Sequence, residues 1–451
     1  MMRGTLALLT FLLWAAVSPA SHGQAGDSRL AARPAAASAR VGPAIASDDS
    51  VPVAVPEPGE SAVRFYRGDN ALWCIRRAWE LFVPGLLLFS GWSARMRDRA
   101  ERITRSWFIA LAIYVLAFLA VRYVLDLPLN WYQGFYRLHA YRLSNQSFGR
   151  WLGQSFKQGL VEAAGGVAFL WIPYWLMRRS PRRWWLQAWI AATVASVLVV
   201  FITPVWIDPL FNRFGPMTDK SLEADILDLA ERADVEGSRV YEVDKSADTR
   251  FVNAYVTGFL GTKRIVLWDT LIAKLDRREL LTVAGHELGH YVLGHVMQGT
   301  LLGSALALIG LYLLHRISGP CVRICRHRFG FDRLSDMASL PLILLFLSAG
   351  QLAVDPLILA VSRHMEHEAD RFALEITRDN QAFARAEVKL ASENLGVPRP
   401  GSLYRLWRAS HPSVAERIEF ANRYRPWAQG GVGKYDRLFA PRPAVPGNRG
   451  R

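Results

Sequence analysis

The stretch Leu280-Leu-Thr-Val-Ala-Gly-His286-Glu287-Leu-Gly-His290-Tyr-Val-Leu293 decides how this chain is read. It places an H-E-x-x-H pattern inside an apolar run. On an α-helix, residues four apart share a face. His286 and His290 can therefore offer two imidazoles to one metal ion, with Glu287 beside them to hold a water. With ten histidines in the chain, the pattern arises by chance in on the order of one such sequence in a hundred. The plain alternative is a pair of ordinary helix histidines, each satisfied by hydrogen bonds.

A second fragment, Glu366-His367-Glu368-Ala369-Asp370, weighs against that alternative. Glu366 and Asp370 are again four apart, so one helix face carries both carboxylates. A catalytic zinc of this kind takes three protein ligands and keeps a fourth position open. Glu366 is the expected third ligand. Asp370 is expected to accept the free N–H of a ligating histidine and fix its tautomer. A solvated acidic helix face would explain one of these carboxylates, but not the set. His295 follows His290 by five residues, about 500° around a continuous helix and well off the ligand face. His364 and His367 flank Glu366, and only one of the three can point at the metal without breaking the helix. The longer H-E-x-x-H-x-x-G-x-x-H pattern is missing, because Val292-Leu293-Gly294-His295 does not keep its spacing.

Both fragments lie among apolar segments. The 451 residues are 51% hydrophobic, more than a typical soluble chain, and the excess is clustered. Runs at Trp107–Leu127, Val161–Met177, Trp184–Trp206, Thr300–Leu314 and Leu340–Val361 have the length or near-length of a membrane helix. A shorter run, Leu81–Trp92, is expected to extend upstream through Trp73, with Arg76 and Arg77 snorkelling to the surface. Trp107, Trp171, Tyr174, Trp175, Trp184, Trp185 and Trp206 crowd span ends, as an interfacial aromatic belt would. Several buried core helices of this length in one soluble chain are a poor alternative. The formal charge of +15 does not imply nucleic acid here, since most of it is arginine flanking apolar spans, where a membrane surface accounts for it.

The N-terminus reads separately. Arg3 precedes an apolar Leu6–Val17 and a small-residue Ser18-Pro19-Ala20 site, the pattern of a cleaved signal or of a first span. The chain then divides into that segment (1–20), an Ala/Pro-rich linker (21–70), N-terminal membrane helices (71–206) and a catalytic insert with the H-E-x-x-H pattern (207–298). Two membrane helices (299–361), a C-terminal helical region completing the metal site (362–438) and a disordered tail (439–451) follow. Three cysteines give no disulfide framework; Cys321 and Cys325, in a basic connecting segment, could pair, and small surface thiols are the better reading. Arg95 to Arg105, Arg178 to Arg183 and Arg316 to Arg328 form three basic loops on one side of the membrane, which the positive-inside rule makes cytoplasmic. The insert would then face the other side. Two spans separate His290 from Glu366, so both fragments return to one membrane face.

Within the insert, Leu222, Ile226 and Leu229 have helical spacing over Ser221–Ala233. Strand-like runs follow at Arg239–Val243, Phe251–Val256 and Arg264–Trp268, with Gly258 and Gly261-Thr262 turning between the last two. A strand edge beside a metal helix is a natural dock for an extended peptide. Asn253, Ala254 and Tyr255 are the candidates for that edge, and an ordinary hairpin packed on the helix fits the spacing equally well.

Taken in order, Asp208-Pro-Leu-Phe-Asn-Arg-Phe, Asn253-Ala-Tyr, Arg264-Ile-Val-Leu-Trp-Asp-Thr-Leu, His286-Glu-Leu-Gly-His, Ser362-Arg-His-Met-Glu-His-Glu-Ala-Asp and Ser410-His-Pro-Ser-Val-Ala-Glu-Arg resemble the type-1 CAAX prenyl endopeptidases, integral-membrane zinc metalloproteases. The likeness spans roughly residues 70–430. It implies a mainly α fold, a polytopic membrane helical barrel around a large chamber with a zincin-like α+β catalytic insert. It implies one zinc ion on His286, His290 and Glu366, with Glu287 as catalytic base. Asn253 and Ala254 fall in the family's substrate-strand motif, and His411 and Arg417 match a C-terminal motif near its catalytic centre. His411 or Arg417 would then face the developing oxyanion. The implied partners are a peptide or protein substrate, prenylated in the family's own case, and the lipid bilayer; no nucleic acid is implied. The family pattern commonly has an aromatic where His367 stands. A multi-pass protein of a bacterial inner membrane is the expected setting.

Overall fold

The computed structural model describes residues 51–439, apart from 236 and 258–263. The signal-like segment, the linker up to residue 50, the turn at Gly258 and Gly261, and the tail from 440 lie outside the described residues. Phe439, read as the start of that tail, packs its ring against Phe372.

The first half is helical. α1 (Glu60–Phe89) ends at Gly91, whose φ of 70° turns the chain into α2 (Trp92–Ile103). α3 (Trp107–Trp131) runs on through a π turn to Ala140. α4 (Phe148–Phe169) and α5 (Trp171–Arg179) follow, then α6 (Trp184–Ile202), which continues to Phe211. In the second half, α9 (His295–Phe329) and α10 (Leu340–Thr377) are long apolar helices. Five helical segments among the described residues are long and apolar enough to cross a membrane: Trp107–Ala140, Phe148–Arg179, Trp184–Phe211, His295–Phe329 and Met337–Thr377. Their shared core is aromatic and aliphatic, with Tyr114, Phe118, Tyr174 and Leu344 buried against one another.

Between α6 and α9 lies the insert. Its sheet has the order β1-β2-β4-β3, from β1 (Phe214–Pro216), β2 (Arg239–Val243), β3 (Ala254–Thr257) and β4 (Arg264–Trp268). β4 pairs parallel with β2 and antiparallel with β3, and its Ile265, Val266, Leu267 and Trp268 are all buried, as a central strand requires. β3 is the edge. α7 (Lys220–Arg232) starts on an Asp219 cap that accepts from the Ser221 and Leu222 amides. The insert is fastened to the membrane part by Lys245, which donates to Asn212 Oδ1 at the end of the Asp208-Pro-Leu-Phe-Asn motif. α8 (Arg277–Val292) carries the H-E-x-x-H pattern and opens with a capping box, in which Asp276 Oδ1 accepts from the Glu279 amide and Glu279 Oε2 from the Asp276 amide. After α10 come α11 (Asn380–Glu393), α12 (Ser402–Trp407) and α13 (Val414–Arg423).

Several expectations change. The helix begins at Glu60, inside the stretch read as linker to residue 70, and Val53 just before it pairs with the Asn422 side chain. Arg76 and Arg77 do not snorkel outward. Arg77 meets Glu80 at 2.9 Å and Asp355 at 3.2 Å, and Arg76 donates to Asn130 and Gln133, so both turn toward neighbouring helices. Two of the basic loops are helical: Arg95 to Arg102 lie on α2, and Arg316 to Arg328 extend α9. The boundary drawn between a span ending at 361 and a region starting at 362 does not exist in the backbone. α10 crosses it unbroken, so Glu366 stands on the same helix as the apolar run.

Candidate metal centre

Two glycines on α8 let it lie almost against the backbone of α10. A Cβ at Gly289 would stand 3.1 Å from Phe372 Cβ and 3.2 Å from Ala369 Cα. One at Gly285 would stand 3.4 Å from Ala373 Cα. This approach brings the adjacent face of α8 to Glu366. His286 Nε2, His290 Nε2 and Glu366 Oε2 form a triangle with edges of 3.1, 3.2 and 3.5 Å. A tetrahedral zinc with bonds of about 2.0–2.1 Å spaces its ligand atoms about 3.3 Å apart. Glu366 Oε2 is buried yet makes no well-formed hydrogen bond, although imidazole nitrogens surround it. Burial by itself would depress the His286 imidazole, but its bonds to Asp370 and Glu366 raise it to about 10. A cation is favoured at this point, and the donor set of two imidazoles and one carboxylate suits zinc.

Behind the triangle stands a second layer. His286 Nδ1 donates to Asp370 Oδ1 at 2.8 Å. Arg417 grips the same carboxylate twice, Nη2 to Oδ1 at 2.5 Å and Nε to Oδ2 at 2.9 Å, and gives Nη1 to Glu387 at 2.7 Å. The Ser410-His-Pro-Ser-Val-Ala-Glu-Arg run explains how Arg417 gets there. Ser413 caps α13 and Glu416 closes the capping box, which fixes the first turn and aims Arg417 inward. Arg417 thus faces the Nδ1 side of His286, behind the nitrogen that faces Glu366. His411 lies in the loop before the cap, half exposed. Its Nδ1 meets Ser410 Oγ at 2.9 Å and its Nε2 is 3.2 Å from Glu366 Oε2. Glu387, on α11, escaped the sequence reading because no motif or spacing ties it to the histidines. Burial pushes its carboxyl up to about 6, against the pull of Arg417.

Glu287, next to the first histidine, is raised by burial, with His286 and His290 pulling the other way. It accepts the backbone N–H of Val256 in the edge strand β3. Ala254 and Tyr255 lie in that strand and Asn253 immediately precedes it, its carbonyl accepting the Trp268 amide at 3.1 Å. The rival ligands fall elsewhere. His364 is exposed, and His367 stands against Phe420 and 3.3 Å from Arg371. Glu368 pairs with Arg371 and Lys434. Among the described residues, the cluster able to hold a metal is His286, His290 and Glu366.

Residues 216–425 match the family model described as Peptidase family M48, and residues 64–213 match one described as CAAX prenyl protease N-terminal, five membrane helices. An uncharacterized metalloprotease, YhfN, of Bacillus subtilis is 35% identical over 84% of this chain and 89% of its own length. The chain belongs to peptidase family M48. A CAAX prenyl protease 1 homolog of Dictyostelium discoideum is 29% identical over 71% of this chain and 75% of its own. The fold is shared with the crystal structure of S. mikatae Ste24p, with a TM-score of 0.68 and 22% identity over 79% of this chain and 87% of that one. This M48 member is accordingly an integral, multi-pass membrane metalloendopeptidase with a mostly helical fold and a small sheet.

Proposed function

We propose that the metal is a single zinc ion held by His286, His290 and Glu366, and that the chain hydrolyses peptides laid along the free edge of β3. The observation that carries this reading is the His286–His290–Glu366 triangle, with Glu287 joined to the edge strand through Val256. Zinc supplies polarisation of the scissile carbonyl and lowers the pKa of a bound water toward ~7. Glu287, its carboxyl raised by burial, takes a proton from the attacking water and later gives it to the leaving amine. A peptide adding to β3 exchanges backbone hydrogen bonds with Ala254, whose neighbours Asn253 and Tyr255 turn theirs to β4, and this sets its path past Glu287. His411, half exposed and 3.2 Å from Glu366, is the donor for charge developing on the scissile oxygen. Asp370, Arg417 and Glu387 hold His286 in place from behind.

The substrate we propose is a CAAX prenyl type of peptide, as the names of several relatives suggest. The membrane we propose is a bacterial inner membrane, on the signal-like start. Cleavage of farnesylated and unmodified forms of one peptide by the purified full-length protein, with and without chelator, tests the reading. Chelator-sensitive cleavage restored by zinc, and faster on the farnesylated peptide, is the expected result. Equal rates on both peptides would leave a broader membrane-protein protease with the same chemistry. Cleavage that persists after complete zinc removal would overturn the reading.

A further inference from the structure

The Asp370–Arg417 layer serves His286 alone. His290 also needs a hydrogen-bond partner behind it if its ring is to hold one orientation. His290 Nδ1 lies 2.9 Å from His295 Nδ1, with the two rings 5.0 Å apart and nearly perpendicular. His295 is 6% exposed. It is the first residue of α9, placed there by Gly294, whose φ of 67° ends α8 and turns the chain back toward the site.

We infer that His295 is the positioning residue for His290, accepting its Nδ1–H and so fixing the tautomer that leaves Nε2 facing Glu366. Two Nδ1 atoms at 2.9 Å share one hydrogen. A histidine that binds metal through Nε2 must carry its proton on Nδ1. His290 is therefore the donor, and His295 is a neutral imidazole protonated on Nε2. The inference rests on His290 being a metal ligand. It also ties the ligand to the bilayer. His286 is steadied from α10 and α13, whereas His290 is steadied by the first residue of a membrane-crossing helix, so a displacement of α9 would be felt at the metal.

The test is zinc affinity of the purified full-length protein, measured by competition with a chromophoric chelator, for the wild type, His295→Ala, His295→Phe and His295→Gln. Thermal unfolding of the metal-free proteins serves as the fold control. Ala and Phe should each weaken zinc binding about 10–100-fold. Gln, whose side-chain carbonyl accepts an N–H, should lose less. The visible absorption of the cobalt-substituted protein should shift in Ala and Phe and return toward wild type in Gln. Wild-type zinc affinity in folded Ala and Phe variants would overturn the inference, as would three variants that lose unfolding temperature alone. Glu366→Ala, run in parallel, separates this from the ligand reading, because undiminished zinc affinity there would mean that the ligand set itself is wrong.

Discussion

Asp370 accepts the Nδ1–H of His286 at 2.8 Å, on the side of the ring away from the nitrogen that faces Glu366. Arg417 holds both oxygens of that carboxylate in place, so the imidazole cannot rotate without losing its hydrogen bond to a fixed acceptor. On the proposed reading, Asp370 and Arg417 support the metal ligand His286 from behind. Asp370→Asn removes the charge and keeps the shape. Zinc affinity should fall about 10–100-fold, read by chelator competition. An unchanged affinity would detach Asp370 from the site.

The close approach of α8 to α10 makes a separate prediction about packing. Gly289→Ala places a methyl 3.1 Å from Phe372 Cβ and 3.2 Å from backbone at Ala369, where neither neighbour is a flexible chain end. Overpacking of this kind costs about 1–3 kcal/mol, and the ligand triangle should open with it. Thermal unfolding in detergent should fall for Gly289→Ala and hold for Gly319→Ala, a membrane-helix position with nothing within 4 Å of an added Cβ. Equal unfolding temperatures would contradict the role given to Gly289.

Lys245 gives the insert a pH dependence. Burial holds its ammonium down to about 8, against the attraction of Asp248 and Asp208. Unfolded, the same group titrates near 10.4. Between those values the unfolded chain binds more protons than the folded one, so stability rises with pH across the window and the penalty is fully present below about 8. Relative to Lys245→Met, the wild type should gain on the order of 3 kcal/mol as pH rises from 8 to above 10. Unfolding midpoints of the two proteins at pH 7, 8, 9 and 10 check this, and parallel profiles would contradict it.

Much of the site could be read in the sequence because its parts are local. Four-residue spacing on one helix needs no tertiary knowledge, and His286–His290 and Glu366–Asp370 both have it. The rest is not legible because partners come from far along the chain or because a helix ends where spacing alone would carry it on. Glu387 meets Arg417 across 30 residues with no shared motif. Arg77 meets Asp355 across 278, so snorkelling looked the better choice for a cation in an apolar run. His295 stays outside the metal cluster, as helical rotation expects, but that rotation carries α8 past Gly294 and so misses the contact with His290. That glycine, the usual left-handed residue after a helix, was the available signal. Helix ends were misplaced for another reason. Apolar windows mark only the most hydrophobic part of a helix, and α9 and α10 both continue beyond them, α10 with Met365 to Ile376 buried on nearly every side.

In the proposed mechanism Glu287 moves the proton while His286, His290 and Glu366 hold the zinc. Glu287→Gln separates the two, because it keeps the side chain's size and removes its basicity. Zinc content and peptide turnover measured on one purified preparation are the direct test. Full zinc occupancy with turnover abolished is the predicted result. Cleavage at the wild-type rate by a zinc-loaded Glu287→Gln protein would contradict it.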